Sequence, residues 1–372
     1  MSRSKTPSQA LRLASLAVAL SPSVGCKGFM YSQTGAVTTG FAVDHMTPWM
    51  MSRDDVDLAC QTGSGLGEFT ASFERVTDRP DKAVLSAWVP AASCAEAAAW
   101  EAELRGMRAL REGQVSEAQD ARLDEKRMHE RAARRYYTAW TRLVAAYGEP
   151  GTACPEFEDR NDEALYLLGL ISGALGIVHD RAADARIGVP SDVPRKVAAG
   201  TACLNDATWF GVPLALRASI WTSIPGFTPE GVDPFAELQK AAAMGEAVGV
   251  RLARAIQIES LNAAGRLDDV KSTLTLAAKS ITETPSHGAF RLLDLNGQAV
   301  IQQMSDRLWT REAGHRTPFD ALGTFPGAAA PPVEDEELFE GLSEPAAPPG
   351  TQPLIAQPPI AQPPTGAGET KK

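Results

Sequence analysis

Five histidines, His45, His129, His179, His287 and His315, are the side chains best suited to proton transfer or metal binding in this chain. No two of them lie three to five residues apart, so the spacing of a helical H-E-x-x-H metal pair does not occur. His129 and His179 fall on helical stretches, where surface or capping roles are expected. Asp180 follows His179 at a helix end and would suit a relay, although such neighbours are common. The stretch "TGSGLGEF" places Gly63, Gly65 and Gly67 close together. No strand precedes it and no Lys-Ser/Thr follows, so it reads as a thinly packed helix segment or a break rather than a phosphate loop. The run Glu334 to Glu337 reads as a solvated charge cluster. There is no G-x-S-x-G elbow and no C-x-x-C pair. The expectation is a protein without catalytic residues, metal or cofactor, and not an enzyme.

The cysteines carry more information. Arg3, Lys5 and Arg12 precede an apolar run from Leu13 to Leu20, and the small residues "SPSVGC" end at Cys26. That is the layout of a secretory leader. Val24, Gly25 and Cys26 have the form of a bacterial lipobox, in which a diacylglycerol joins the thiol. Ser23 departs from it, standing where an aliphatic residue is usual. The alternative is ordinary secretion with Cys26 an incidental thiol. Two or three acyl chains anchor a protein stably, whereas one alone binds marginally. Lys27, not Asp, follows the cysteine, which points to an outer-membrane anchor facing the periplasm. Residues 1–25 are thus expected to be a signal peptide and 26–34 a lipidated tether.

Cys60, Cys94, Cys154 and Cys203 remain, and four cysteines allow three pairings. Sequential pairing, Cys60 with Cys94 and Cys154 with Cys203, would staple two neighbouring helical hairpins in an oxidising compartment. The other reading is four small buried thiols.

An aromatic group, Trp209, Phe210, Trp221 and Phe227, falls in one 19-residue window expected to be loop and short helix. It either packs between hairpins or lines an apolar cleft for a ligand, with Tyr166 and Leu168 as further candidates for that cleft.

The elements that must hold these residues are almost all helical. "ALYLLGLISGALGIV", residues 164–178, is shorter than the roughly 20 residues a bilayer core needs. Asp162 and Glu163 precede it, as suits a helix N-terminus and not a membrane anchor. Gly169, Ser172, Gly173 and Gly176 share one face, so a tightly packed core helix is expected. From Met128 to Tyr147, Ala132, Tyr136, Ala139, Leu143 and Tyr147 form one apolar stripe. Ser52 reads as the N-cap of a helix running to about Val76. Further helices are expected from Pro80 past Pro90 to Leu110, from Pro194 through Cys203, from Pro234 to Val248, from Arg251 to Ala264, from Leu267 to Ile281, and from Gly288 to Glu312. The last continues through Asn296 and Gly297. No alternating Val/Ile/Thr runs suggest strands.

The chain has 372 residues, 44% of them hydrophobic, and a net charge of −10. The acidic balance and the lack of a basic stripe argue against nucleic acid as a partner. Composition shifts at residue 325 to a Pro/Ala-rich tail with seven acids against two bases and a "QPLIA QPPIA QPPTG" repeat. Such a segment is expected to be extended and disordered. The fold class is all-α: antiparallel helical hairpins in a degenerate tetratricopeptide-like stack over residues 35–324, with a disordered Pro-rich C-terminal tail over 325–372.

Six segments in order resemble one family. They are "DDVDLACQTGSGLGEF", "KAVLSAWVPAASCAEAAAW", "ERAARRYYTAWTRLVAAYG", "ALYLLGLISGALGIVHDRA", "CLNDATWFGVPLALRASIWTSIPG" and "RLARAIQIESLNAAGRLDDVKSTL". Their order resembles the T-component lipoproteins of tripartite ATP-independent periplasmic (TRAP) transporters. The resemblance implies a helical repeat-like fold able to form a homotrimer. It also implies a hydrophobic cleft for a small apolar or amphipathic ligand, and a periplasmic solute-binding protein as partner. A cell-envelope lipoprotein scaffold for protein–protein interaction is the alternative.

Overall fold

A computed structural model describes residues 25–327. Residues 1–24, which hold nearly all of the expected signal peptide, the side chain of Cys26 and nearly all of the Pro-rich tail lie outside the described residues. The fold is all-α, with no strand among the described residues.

The described residues open with α1 (Gly25–Phe41), so the stretch expected to be a tether is the start of a helix. A π-helical turn at Ala42–Met46 leads into the short α2 (Thr47–Met51). Next comes α3 (Val56–Ser72), capped by Asp55, whose carboxylate accepts from Leu58 N at 2.7 Å. The expected cap, Ser52, instead donates to Trp49 O and closes α2. Two long helices follow, α4 (Asp81–Arg111) and α5 (Val115–Tyr147), packed antiparallel about the turn at Gly113. Pro90 lies inside α4 and faces α3, where Gly63 makes room for it. A Cβ on Gly63 would come within 2.7 Å of the Pro90 ring and 2.6 Å of Ala87 O. The glycine-rich stretch is therefore a continuous helix whose glycines admit a neighbour.

The apolar run belongs to α6 (Arg160–Ala182), capped by Asp159, which accepts from Asn161 N and Asp162 N at 2.9 Å. At 23 residues this helix is longer than its apolar run, and by length and composition it is able to cross a bilayer. Burial decides otherwise: 67% of its most apolar window lies inside the protein. Its small-residue face meets α5. A Cβ on Gly169 would fall 2.2 Å from Leu143, and one on Gly173 would fall 2.3 Å from the Trp140 ring.

The second half is built of shorter helices: α7 (Val193–Gly200), α8 (Val212–Ser223), α9 (Pro234–Glu246), α10 (Leu252–Ala263), α11 (Leu267–Glu283) and α12 (Arg291–Ala313). Their short connections stack them as hairpins. Trp221, expected in a loop, lies on α8. Asn296 and Gly297 interrupt nothing, and Gly297 lets α12 approach Leu252 at the start of α10. A buried ion pair organises this half. Asp294 accepts from Arg251 N at 2.7 Å, from the Arg251 guanidinium at 2.8 Å, from Ser286 Oγ at 2.6 Å and from Gln298 Nε2 at 2.7 Å.

The two ends of the stack meet. Arg307 of α12 pairs with Glu103 of α4 at 2.9 Å, and Arg316 pairs with Glu101. The Arg111 guanidinium donates to Arg311 O at 3.1 Å.

Two disulfides add covalent ties. Cys60–Cys94 joins α3 to α4 and Cys154–Cys203 joins the segment before α6 to the turn after α7, which is the sequential pairing.

Two tests follow from this packing. Gly173→Ala puts a methyl group into the Trp140 ring and should cost about 1–3 kcal/mol. Gly65→Ala, which meets nothing within 4 Å, should stabilise α3 by about 0.5–1 kcal/mol. Urea unfolding of the two variants reads the opposite signs. Asp294→Ala leaves Arg251 buried without its counter-charge and should cost about 3–5 kcal/mol in the same measurement.

Candidate functional site

With one face of α6 closed against α5, the opposite face is free to line a cavity. Leu168, Ile171, Leu175 and Val178 lie at steps of three and four along α6 and border a partly open cavity of about 1720 Å³. Leu252 and Ile256 of α10, Leu292 and Val300 of α12, and Leu216 of α8 supply other apolar parts of the wall. The space exceeds the few hundred to a thousand Å³ usual for a small-ligand pocket.

Some of the cavity's lining is polar, and this part is built from helices distant in sequence. Glu96 of α4 is buried and lies between two partners: Tyr136 donates to it at 2.7 Å, and His179 Nε2 lies 3.1 Å away. Burial disfavours charge on Glu96, but His179, the Tyr136 hydroxyl and His129 outweigh it and hold the carboxyl below the ordinary glutamate range. Burial, followed by the charge on Glu96, pushes the Tyr136 phenol well above its ordinary value, so Tyr136 stays a donor. The Tyr136 ring stacks on the His179 ring, with centroids 5.5 Å apart.

The two histidines expected at the surface meet here. His129 Nδ1 and His179 Nδ1 are 2.8 Å apart, and His179 is 3% exposed. Burial, with help from His179, pushes His129 down to about 4, so it is neutral at pH 7. An ionised Glu96 can only accept, so His179 Nε2 carries the proton toward it. One of the two Nδ1 atoms donates to the other. His129 Nε2 faces the Glu125 carboxylate at 3.8 Å, and Glu125 is also paired with Arg122. Asp180 has a different task from a relay. It accepts from Ile187 N and Val189 N, both at 2.8 Å, and ties down the loop after α6.

Glu259 of α10 completes the polar part. Its side chain is exposed and borders the cavity. Enclosure pushes its carboxyl up to about 7. Arg307 and His179 pull the other way, while Glu96 and Glu103 add to the rise. Glu259 makes no hydrogen bond or ion pair with the described residues. Among those residues, no group of three or more His, Cys, Asp or Glu side chains is arranged to hold a metal ion.

Of the six residues expected to line a ligand cleft, Leu168 borders this cavity and the other five do not. Trp209, Phe210 and Tyr166 are fully buried core residues. Trp209 and Phe210 pack edge-on against Phe290, and Tyr166 packs against Tyr147 and Phe157. Trp221 packs on the cluster between α8 and α9, and Phe227 lies beneath Arg195. The residues missed were Glu96, His129, His179 and Glu259. The available signal was a set of single ionisable residues on otherwise apolar helix faces, a pattern that does not say which of them meet.

No family model, no curated protein and no solved structure matches this chain. Its functional reading rests on the cavity.

The raised carboxyl makes stability depend on pH in a defined direction. Folded Glu259 holds its proton up to about pH 7, while the unfolded chain releases it near 4.5. Its contribution is therefore complete below 4.5 and declines as pH rises through 7. Glu259→Gln should stabilise the protein by about 1 kcal/mol above pH 7, after allowing for solvent screening in the cavity. The gain should vanish below pH 4.5, as read by denaturant midpoints across that range.

Proposed function

We propose that this chain is a lipid-anchored envelope protein that holds an amphipathic organic ligand in its central cavity. In this reading it acts as the periplasmic accessory component of a TRAP-type solute uptake system and passes ligand to or from a solute-binding protein. One observation carries it: a large, partly open cavity with apolar walls on α6, α8, α10 and α12 and a polar patch at Glu96, His129, His179 and Glu259. A site for purely apolar cargo has no use for charged groups, and burying them carries a cost. Catalysis is not part of the proposal.

Two further features fit an exported, membrane-attached protein. The two disulfides suit an oxidising compartment. Helix α1, which contains Cys26, exposes Phe29, Met30, Tyr31, Val37 and Phe41, an apolar set suited to a nearby lipid surface.

A scaffold role is the competing reading, and the acidic, Pro-rich tail is the feature that favours it. Native mass spectrometry of the exported protein, purified without detergent, separates the two. A bound small molecule that leaves on collisional activation is the expected result. A ligand-free protein, combined with loss of all pulled-down partners when residues 325–372 are deleted, would leave the scaffold standing and remove the carrier.

A further inference from the structure

Helix α1 has two unlike sides. On one, Gly35 is buried, and a Cβ there would come 3.1 Å from Thr77 and 3.3 Å from the Phe73 ring. This side is therefore docked on the segment between α3 and α4. Ala42, just past the helix end, is buried on the same side, and the Thr39 hydroxyl turns back to donate to Gly35 O at 2.9 Å. The other side carries Phe29, Met30, Val37 and Phe41, which are 67%, 65%, 71% and 57% exposed. At 3.6 residues per turn these four fall within about a third of the helix circumference. Gln33 is the one polar side chain among them, and residues 28–43 carry no charge at all. The close contact at Gly35 keeps α1 from rolling to bury this stripe.

The register of the helix says what covers it. Cys26 stands three residues before Phe29 and four before Met30, the spacing of neighbours on one helix face. Acyl chains on Cys26 would thus start from the stripe side, one turn away from its first two members. Lys27 beside it is the only charge in α1 and matches the anionic phosphates of a lipid surface. A stripe of four side chains is far smaller than the roughly 20–30 residues a side of a stable protein interface. We infer that α1 is an in-plane membrane helix: its stripe from Phe29 to Phe41 enters the edge of the hydrocarbon, to a depth of about 5–10 Å, while its Gly35 side carries the helical body. The inference rests on the lipid-anchored reading above. It adds that protein side chains share the attachment with the acyl group and hold the body in one orientation to the membrane.

Photocrosslinking tests this on the exported chain, purified and mixed with vesicles of equal parts phosphatidylethanolamine and phosphatidylglycerol. The photoreactive residue p-benzoylphenylalanine replaces Val37, Phe41 or, as a control, Leu276, which is exposed on α11. Intact mass after irradiation records phospholipid adducts and, separately, whether Cys26 is acylated. Positions 37 and 41 should give at least tenfold more phospholipid adduct than position 276. A crosslink from them to a second copy, or to residues 1–24 of the same chain, would overturn the inference. If Cys26 is acylated and positions 37 and 41 do no better than 276, the in-plane helix is lost and the acyl anchor stands. Adducts on a chain without the acyl group would leave the in-plane helix standing and remove the lipobox reading. Absence of both would remove both.

Discussion

The close approach of α5 and α6 is the constraint on which the rest of this structure depends. Gly169 and Gly173 lack the Cβ atoms that would strike Leu143 and Trp140, so two long helices meet nearly backbone to side chain. That contact takes up one face of a helix that is apolar on several. The remaining face, from Leu168 to Val178, cannot also be packed by α5. It becomes the wall of a cavity instead of the interior of a core. A helix able by length to cross a membrane is therefore held in the protein by burial of its other faces.

The cavity also needs a second wall held at a fixed distance. Arg251 and Asp294 are buried together between α10, α11 and α12 and keep these shorter helices in one arrangement. Such a pair adds little net stability over a well-packed apolar substitute, but losing one partner is severe. It acts as a specifier of geometry. The pairs Arg307–Glu103 and Arg316–Glu101 then bring the last helix back to α4, so the wall is closed from both ends of the chain.

Charge placement follows from that closure. Glu96, His129 and His179 come from α4, α5 and α6, and Glu259 comes from α10 across the space. In a low-dielectric interior each of these groups is costly unless answered. The network answers Glu96 through two donors, Tyr136 and His179, and leaves Glu259 without a partner among the described residues. The same arrangement explains why His129 is neutral at pH 7 and why Glu259 is slow to ionise.

Periodicity and punctuation in the sequence located α3 to α7 and α9 to α12 but not α1, α2 or α8, because hydrogen bonding along a helix and the capping of its ends are local. They placed the helix of Met128 to Tyr147 within α5, carried the last helix through Asn296–Gly297, and marked the small-residue face of residues 169–176 as a site of close packing. A cap could still be misjudged within one turn, as with Ser52 and Asp55, because both residue types accept from a free N–H. Tertiary structure alone decided what each face met. An apolar face on α6 and an aromatic window at 209–227 both read as buried. Only their assembly made the first a cavity wall and the second a core. The histidines at 129 and 179 lie 50 residues apart, and no local rule brings them within hydrogen-bonding reach. Pairing among the four cysteines was open for the same reason: sequence records which groups avoid water, and the fold determines which of them touch.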